Sequence, residues 1–282
     1  QGGNAWVGEQ ILACPLWAEQ NNGQDCAFDM DSLAIGPYFG GYLHEDKFIP
    51  EINNWLNEAD GGMEKLFREI NSGILRDLTY DPSEDAWLQA PVGGALAQTK
   101  DFIEQNKALA DRFGLKLTAY EGGQHLTFAG NLSGERAQIN EQIFLAGNRT
   151  QAMGDAFNQH FTDWKNAGGT LYMVFESTAR WGTFGAFPLK EYQLQAINET
   201  PKLASTLAFI DANPCWWSDC ARITHKYDKV QIDELPQEPD TSDISLTADV
   251  RLDSWGVSLS WSAISSGVQY YQVFRDGVFV GH

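Results

Sequence analysis

Short apolar runs closed by turn residues alternate with long stretches of helical spacing over the first three quarters of this chain. The runs are Leu33-Ala-Ile35 within Asp31-Ser-Leu-Ala-Ile-Gly-Pro-Tyr-Phe-Gly-Gly41, then Leu115-Lys-Leu-Thr-Ala-Tyr120, then Thr170-Leu-Tyr-Met-Val-Phe175. Runs of this length bounded by turn signals read as buried strands. Helical periodicity marks residues 63–78, then 94–113 with Gly114 as its stop, then 135–166 closed by Gly168-Gly169, and finally 191–212. A shorter helical pattern over residues 5–19 is interrupted by Pro15. Strand followed by helix, three times over, predicts a parallel α/β fold with both sheet faces covered. An open doubly wound sheet would call for a Gly-rich phosphate loop or a dinucleotide fingerprint, and the chain has neither. The expected class is a (β/α)8 TIM-type barrel.

Each predicted strand delivers polar or aromatic groups where it emerges: Tyr38 on the first, Glu121 with His125 on the second, Glu176 with Trp181 on the third. With period two, Leu115, Leu117, Ala119 and Glu121 share one face, so the charge sits at the strand's exit. Barrel enzymes keep their chemistry at that end of the strands. Plainer roles stay open for each residue. Glu121 could cap the next helix from a tight turn, and Tyr38 could pack on Phe39. His125 could be a satisfied loop residue, Trp181 a rim or core residue, and Glu176 a partner of Arg180 or of loop backbone.

After Pro214 the character changes. Gln231-Ile-Asp-Glu-Leu-Pro-Gln-Glu-Pro-Asp-Thr-Ser-Asp243 is an acidic linker, and beyond it strands alternate over residues 244–250, 257–261 and 270–280. Asp276-Gly277 between two hydrophobic runs is a strong hairpin signal. The 282 residues carry 38 acidic against 19 basic side chains, a formal charge of −19. That balance disfavours nucleic acid and anionic membranes, both of which need a basic surface. Four cysteines fall into two local pairs, Cys14/Cys26 and Cys215/Cys220, with no zinc spacing. They read as loop-stapling disulfides of an exported chain, with free buried thiols as the alternative. No metal or cofactor is expected.

Gly36-Pro-Tyr-Phe-Gly-Gly41 as a strand-six end, Tyr120-Glu-Gly-Gly-Gln-His125 as a strand-seven end and the Trp181-bearing loop after strand eight together resemble a known family. They resemble the C-terminal half of a retaining glycoside hydrolase of the large clan of (β/α)8 barrels with catalytic Glu residues on strands four and seven. The resemblance covers residues 1–214 and implies an incomplete barrel, about strands five or six to eight. Residues 215–243 are then a Cys-containing segment and linker. Residues 244–282, with Trp261 on an early strand and a Tyr-rich strand turning at Asp-Gly, resemble the start of an all-β fibronectin type III sandwich.

The resemblance implies hydrolysis of a β-linked polysaccharide by double displacement, with Glu121 as nucleophile supported by the Tyr38 hydroxyl. It makes Trp181 the sugar platform, with His125 and Glu176 as further substrate contacts. The clan's acid/base Glu sits on strand four, and this sequence reads as beginning after that strand, so the residue is expected upstream of Gln1. Glu176 is the internal candidate, on the strand beside Glu121. The implied protein is a secreted bacterial enzyme, monomeric when complete, with a polysaccharide or oligosaccharide as its partner. A half-barrel made alone would expose apolar strand edges and aggregate. The alternative class is a non-catalytic carbohydrate-binding or scaffolding protein on a barrel fold.

Overall fold

The computed structural model describes residues 3–218, Cys220 and four strands between residues 246 and 281. The chain divides into two units, Gln1–Ala221 and Arg222–His282.

The first unit begins with α1 (Ala5–Ala13) and α2 (Pro15–Gln20). They part at Cys14, whose left-handed backbone (φ 32°) precedes a proline at the first helical position, as the Pro15 interruption predicts. A disulfide joins Cys14 to Cys26, with Cα atoms 5.8 Å apart. Next come β1 (Ser32–Ile35), β2 (Tyr38–Phe39), α3 (Ile49–Trp55), α4 (Met63–Ser72), α5 (Leu75–Thr79) and the long α6 (Gly94–Arg112). Then follow β3 (Lys116–Ala119), β4 (Gly123–Gln124), α7 (Glu135–Ile139), a π-helical turn (Asn140–Leu145), α8 (Ala146–Asn148), α9 (Gln151–Asn166) and α10 (Pro201–Ala212).

β1 pairs in parallel with β3, Leu33 against Leu117 and Ile35 against Ala119, and β2 with β4, Tyr38 against Gly123. Residues 170–175 add a third parallel stretch beside β3. The Ala119 N–H donates to the Leu171 carbonyl (2.8 Å) and the Met173 N–H to the Ala119 carbonyl (3.1 Å). Three consecutive strand segments thus lie side by side in chain order. Among the described residues the sheet does not close into a barrel.

One face of this sheet, through Ile35, Leu117 and Ala119, is buried against Leu12 of α1, Ile103 and Leu109 of α6 and Trp164 of α9. The other face is open: Leu171, Met173 and Phe175 are 38–48% exposed. The expectation that both faces are covered is therefore corrected for the described residues. Along 170–175 Thr170 is buried and Tyr172 and Val174 half-buried, while Leu171, Met173 and Phe175 between and beyond them are exposed, because helices lie on one side only.

Three helix boundaries also differ from the periodicity. The stretch 63–78 breaks at Gly73 (φ 75°), and 135–166 is interrupted by the π-turn and again at Thr150, whose side chain accepts the Met153 N–H and starts α9. The last helix starts at Pro201 rather than at residue 191, proline occupying the first position, where it has no N–H to lose. Gly73 and Gly94 (φ 83°) let α4 and α6 meet backbone to backbone. A Cβ on Gly94 would collide with the Glu69 carbonyl oxygen, and one on Gly73 with the Gly94 nitrogen. Glu69 itself is fully buried. One of its carboxylate oxygens accepts from the Tyr42 hydroxyl, and the other from the backbone N–H of Ile74 (2.6 Å) and of Leu75 (2.7 Å), where α5 begins.

The segment 215–220 belongs to the first unit. Trp216 donates from its indole N–H to the Gly169 carbonyl (2.8 Å), packs on Phe209 and precedes the Cys215–Cys220 disulfide's second half-cystine. In the second unit β5 (Leu246–Arg251) pairs antiparallel with β6 (Gly256–Trp261), and β7 (Val273–Arg275) with β8 (Val278–Gly281). The acidic linker and Asp276-Gly277 lie outside the described residues. No helix among the described residues is long and apolar enough to cross a membrane.

Candidate active site

The parallel pairing of β2 with β4 places Tyr38 beside the turn that carries Glu121, close enough for its hydroxyl to feel the Glu121 carboxylate. Burial first, and then the charge of Glu121, hold the Tyr38 hydroxyl well above the ordinary tyrosine range. Tyr38 therefore stays a neutral O–H donor. The charge of Glu176 adds to the same effect, so both carboxylates act on one phenol. The ends of the three strand segments bring Tyr38, Glu121 and Glu176 into one neighbourhood.

His125 follows. Its N–H donates to the Phe39 carbonyl (2.8 Å), which turns the imidazole toward Tyr38, ring centroids 5.6 Å apart and edge-on. Burial, assisted by neighbouring His44, pushes its pKa below the ordinary histidine range, so the ring is neutral. Its Nδ1 is buried without a hydrogen-bond partner, with Gly41 close by. A substrate contact from His125 would have to come from the other nitrogen.

Trp181 is held elsewhere. The side chain is 8% exposed and packs with Leu145 and Ala186, and its indole N–H donates to the Pro188 carbonyl (3.1 Å). The Arg149 guanidinium lies 5.3 Å from the ring centroid and the Lys202 amine 4.2 Å. Lys202 is buried, donates to Asn148 Oδ1 (2.9 Å) and to the Ala186 carbonyl, and is kept by burial well below the ordinary lysine range. An indole so engaged does not offer the open face that the platform role requires. Phe187, six residues on, is the aromatic that this loop sends to the site. It meets Tyr38 (6.0 Å), His125 (5.3 Å) and Phe175 (5.8 Å), each edge-on. Nothing in the spacing of a loop distinguishes Phe187 from Trp181, so the sequence favoured the larger ring.

Behind the site, His160 is 1% exposed and joins two strand ends. Its Nε2 lies 2.7 Å from the Tyr172 hydroxyl, and its other nitrogen bonds the Pro37 backbone. Proline has no N–H, so Pro37 accepts through its carbonyl, His160 donates from Nδ1, and Tyr172 donates to Nε2. A Cβ on Gly122 would collide with the Tyr172 hydroxyl, so the glycine after Glu121 is what admits this phenol. Burial takes His160 down to about 3. Since the unfolded value is about 6.5, the neutral ring contributes stability that is present above that pH and lost as pH falls toward 3. Urea unfolding of the wild type is expected to lose on the order of 4 kcal/mol across that window beyond any loss in His160→Gln. Parallel pH profiles of the two proteins would refute this.

No group of three or more potential metal-ligating side chains occurs among the described residues. The chain matches no known protein-family model, no curated protein and no solved structure.

Proposed function

We propose that this chain hydrolyses glycosidic bonds of a β-linked polysaccharide with retention of configuration, Glu121 acting as the nucleophile. The observation that carries the reading is the juxtaposition of the Tyr38 hydroxyl and the Glu121 carboxylate at the exit of adjacent parallel strands. In the first step a Glu121 oxygen bonds to the anomeric carbon as the glycosidic C–O bond breaks, and the departing oxygen takes a proton from an acid. In the second, water attacks that carbon, gives its proton to the same group, and releases Glu121. Tyr38 orients the carboxylate throughout. Glu176 is the described carboxylate that shares Tyr38 with Glu121, and it is the residue to test as the acid/base. The paired disulfides fit secretion into an oxidising compartment.

The reading is tested without its acid/base partner by using fluoride as the leaving group, which departs unprotonated. Incubation with β-configured 2-deoxy-2-fluoro-glycosyl fluorides of glucose, galactose, mannose and xylose should leave one sugar esterified to the peptide containing Glu121, seen by mass spectrometry. An unlabelled protein with all four, or a label on another residue, overturns the assignment. The aromatics around Tyr38 would equally suit a carbohydrate-binding protein without chemistry, in which case sugars bind and no ester forms.

A further inference from the structure

Beside Tyr38, residues 3–6, Gly36, Pro37, Tyr38, Phe102 and Gln105 line an open cavity of about 470 Å³. Its size falls in the range of small-molecule sites, roughly 300–1,000 Å³. The walls are fixed. Asn106 of α6 donates to the Gly3 carbonyl (2.9 Å), and the Asn4 side chain accepts the Val7 N–H (3.1 Å), capping α1 over the cavity. Trp6, on the first turn of α1, is 67% exposed. Its indole is left open, unlike that of Trp181.

The chemistry of the wall restricts the occupant. Trp6 and Phe102 supply apolar ring surface. Asn4, with its oxygen engaged by Val7, keeps its amide N–H groups as donors. Gln105, whose amide N–H donates to Asp101 (2.7 Å), keeps its carbonyl as an acceptor. None of the lining side chains carries a charge. A pyranose matches this set: its C–H face stacks on indole and its hydroxyls both donate and accept. A uronate or a sulfated sugar would meet no cation, which a desolvated anion needs. Tyr38 is a wall of this cavity and also lies beside Glu121, which places an occupant of the cavity one residue away from the nucleophile.

We infer that this cavity is a subsite for a neutral glycosyl unit, stacked on Trp6, of the same chain whose glycosidic bond reaches Glu121. The inference rests on the glycoside reading above and is tested apart from it. The full chain carrying Glu121→Gln, with ¹⁵N-labelled tryptophan indoles and the Trp6 signal assigned through Trp6→Phe, is titrated with neutral β-linked gluco-, galacto-, manno- and xylo-hexasaccharides. One of them should move the Trp6 signal, and Trp6→Ala should weaken its binding about tenfold or more. Labelling at Glu121 with an unmoved Trp6 signal and unchanged hexasaccharide affinity overturns the subsite and leaves the hydrolase reading standing. A moved Trp6 signal without labelling supports the subsite and removes the hydrolase reading. Neither effect removes both, and tighter binding of an acidic hexasaccharide than of any neutral one overturns the neutral assignment.

Discussion

Glu121→Gln is expected to reduce polysaccharide hydrolysis on the order of 10⁴-fold or more while oligosaccharide affinity changes only a few-fold. The amide has the size of the carboxylate and keeps an acceptor for the Tyr38 hydroxyl. It has no charge to offer an oxocarbenium-like centre and forms no glycosyl ester. The loss therefore falls in kcat. Tyr38→Phe keeps the ring that meets His125 and Phe187 and removes only the hydroxyl. Its loss should be smaller, about 10²-fold, as for removal of one positioned donor at a reacting centre, with KM little changed. Reducing-end release under saturating substrate, with calorimetry for affinity, separates the two effects. A Glu121→Gln protein with more than about a tenth of wild-type kcat would remove Glu121 from the chemistry.

Glu69→Ala should be the most damaging single change to stability among the polar core residues, at about 3–5 kcal/mol. The carboxylate is fully buried and receives three donors, the Tyr42 hydroxyl and the N–H groups of Ile74 and Leu75. Deleting it leaves all three unsatisfied in a dry interior, and a cavity besides. Burial is the first influence on Glu69 and raises its pKa above the ordinary carboxylate range, against the pull of those three hydrogen bonds. A folded-state value raised above the unfolded one means that the contribution is full below the unfolded pKa and declines as pH rises through the folded one. The penalty of Glu69→Ala is therefore expected to be larger near pH 4.5 than near pH 8. Glu69→Gln, which keeps one acceptor, should lose less and show a flatter pH profile. Urea midpoints of the three proteins at the two pH values decide it, and equal stability of Glu69→Ala and wild type would refute the capping role.

The parallel arrangement of residues 32–39, 116–124 and 170–175 was legible because each strand is a compact apolar run with glycine at one of its ends. The encounter of Tyr38 with Glu121 followed from that order, since neighbouring parallel strands bring their exits together. Trp181 and Phe187 were not separable, because a loop has no periodicity to tell a buried ring from one at a site. His160 was hidden for a different reason. It lies in the middle of a helix, and its importance arises from two partners distant in sequence, Pro37 and Tyr172. The start of α10 was legible in Thr200-Pro201, but the apolar spacing of residues 191–200 outweighed it. Trp6 was visible as part of a helical pattern, yet nothing along the chain announces that Gly36 and α6 close a cavity over it.

The crossing of α4 and α6 has a consequence for ancestry. At Gly73 and Gly94 the two backbones touch, and both residues hold positive φ, so almost no substitution at either preserves the crossing. Surface positions can drift until overall identity carries no signal, but this pair cannot drift independently. Descendants of the same ancestral chain should keep glycine at both places, twenty-one residues apart, as long as the two helices still cross there. Joined to a carboxylate four residues before the first glycine, that spacing is a fingerprint by which remote kin of this protein can be recognised after the rest of their sequences have diverged.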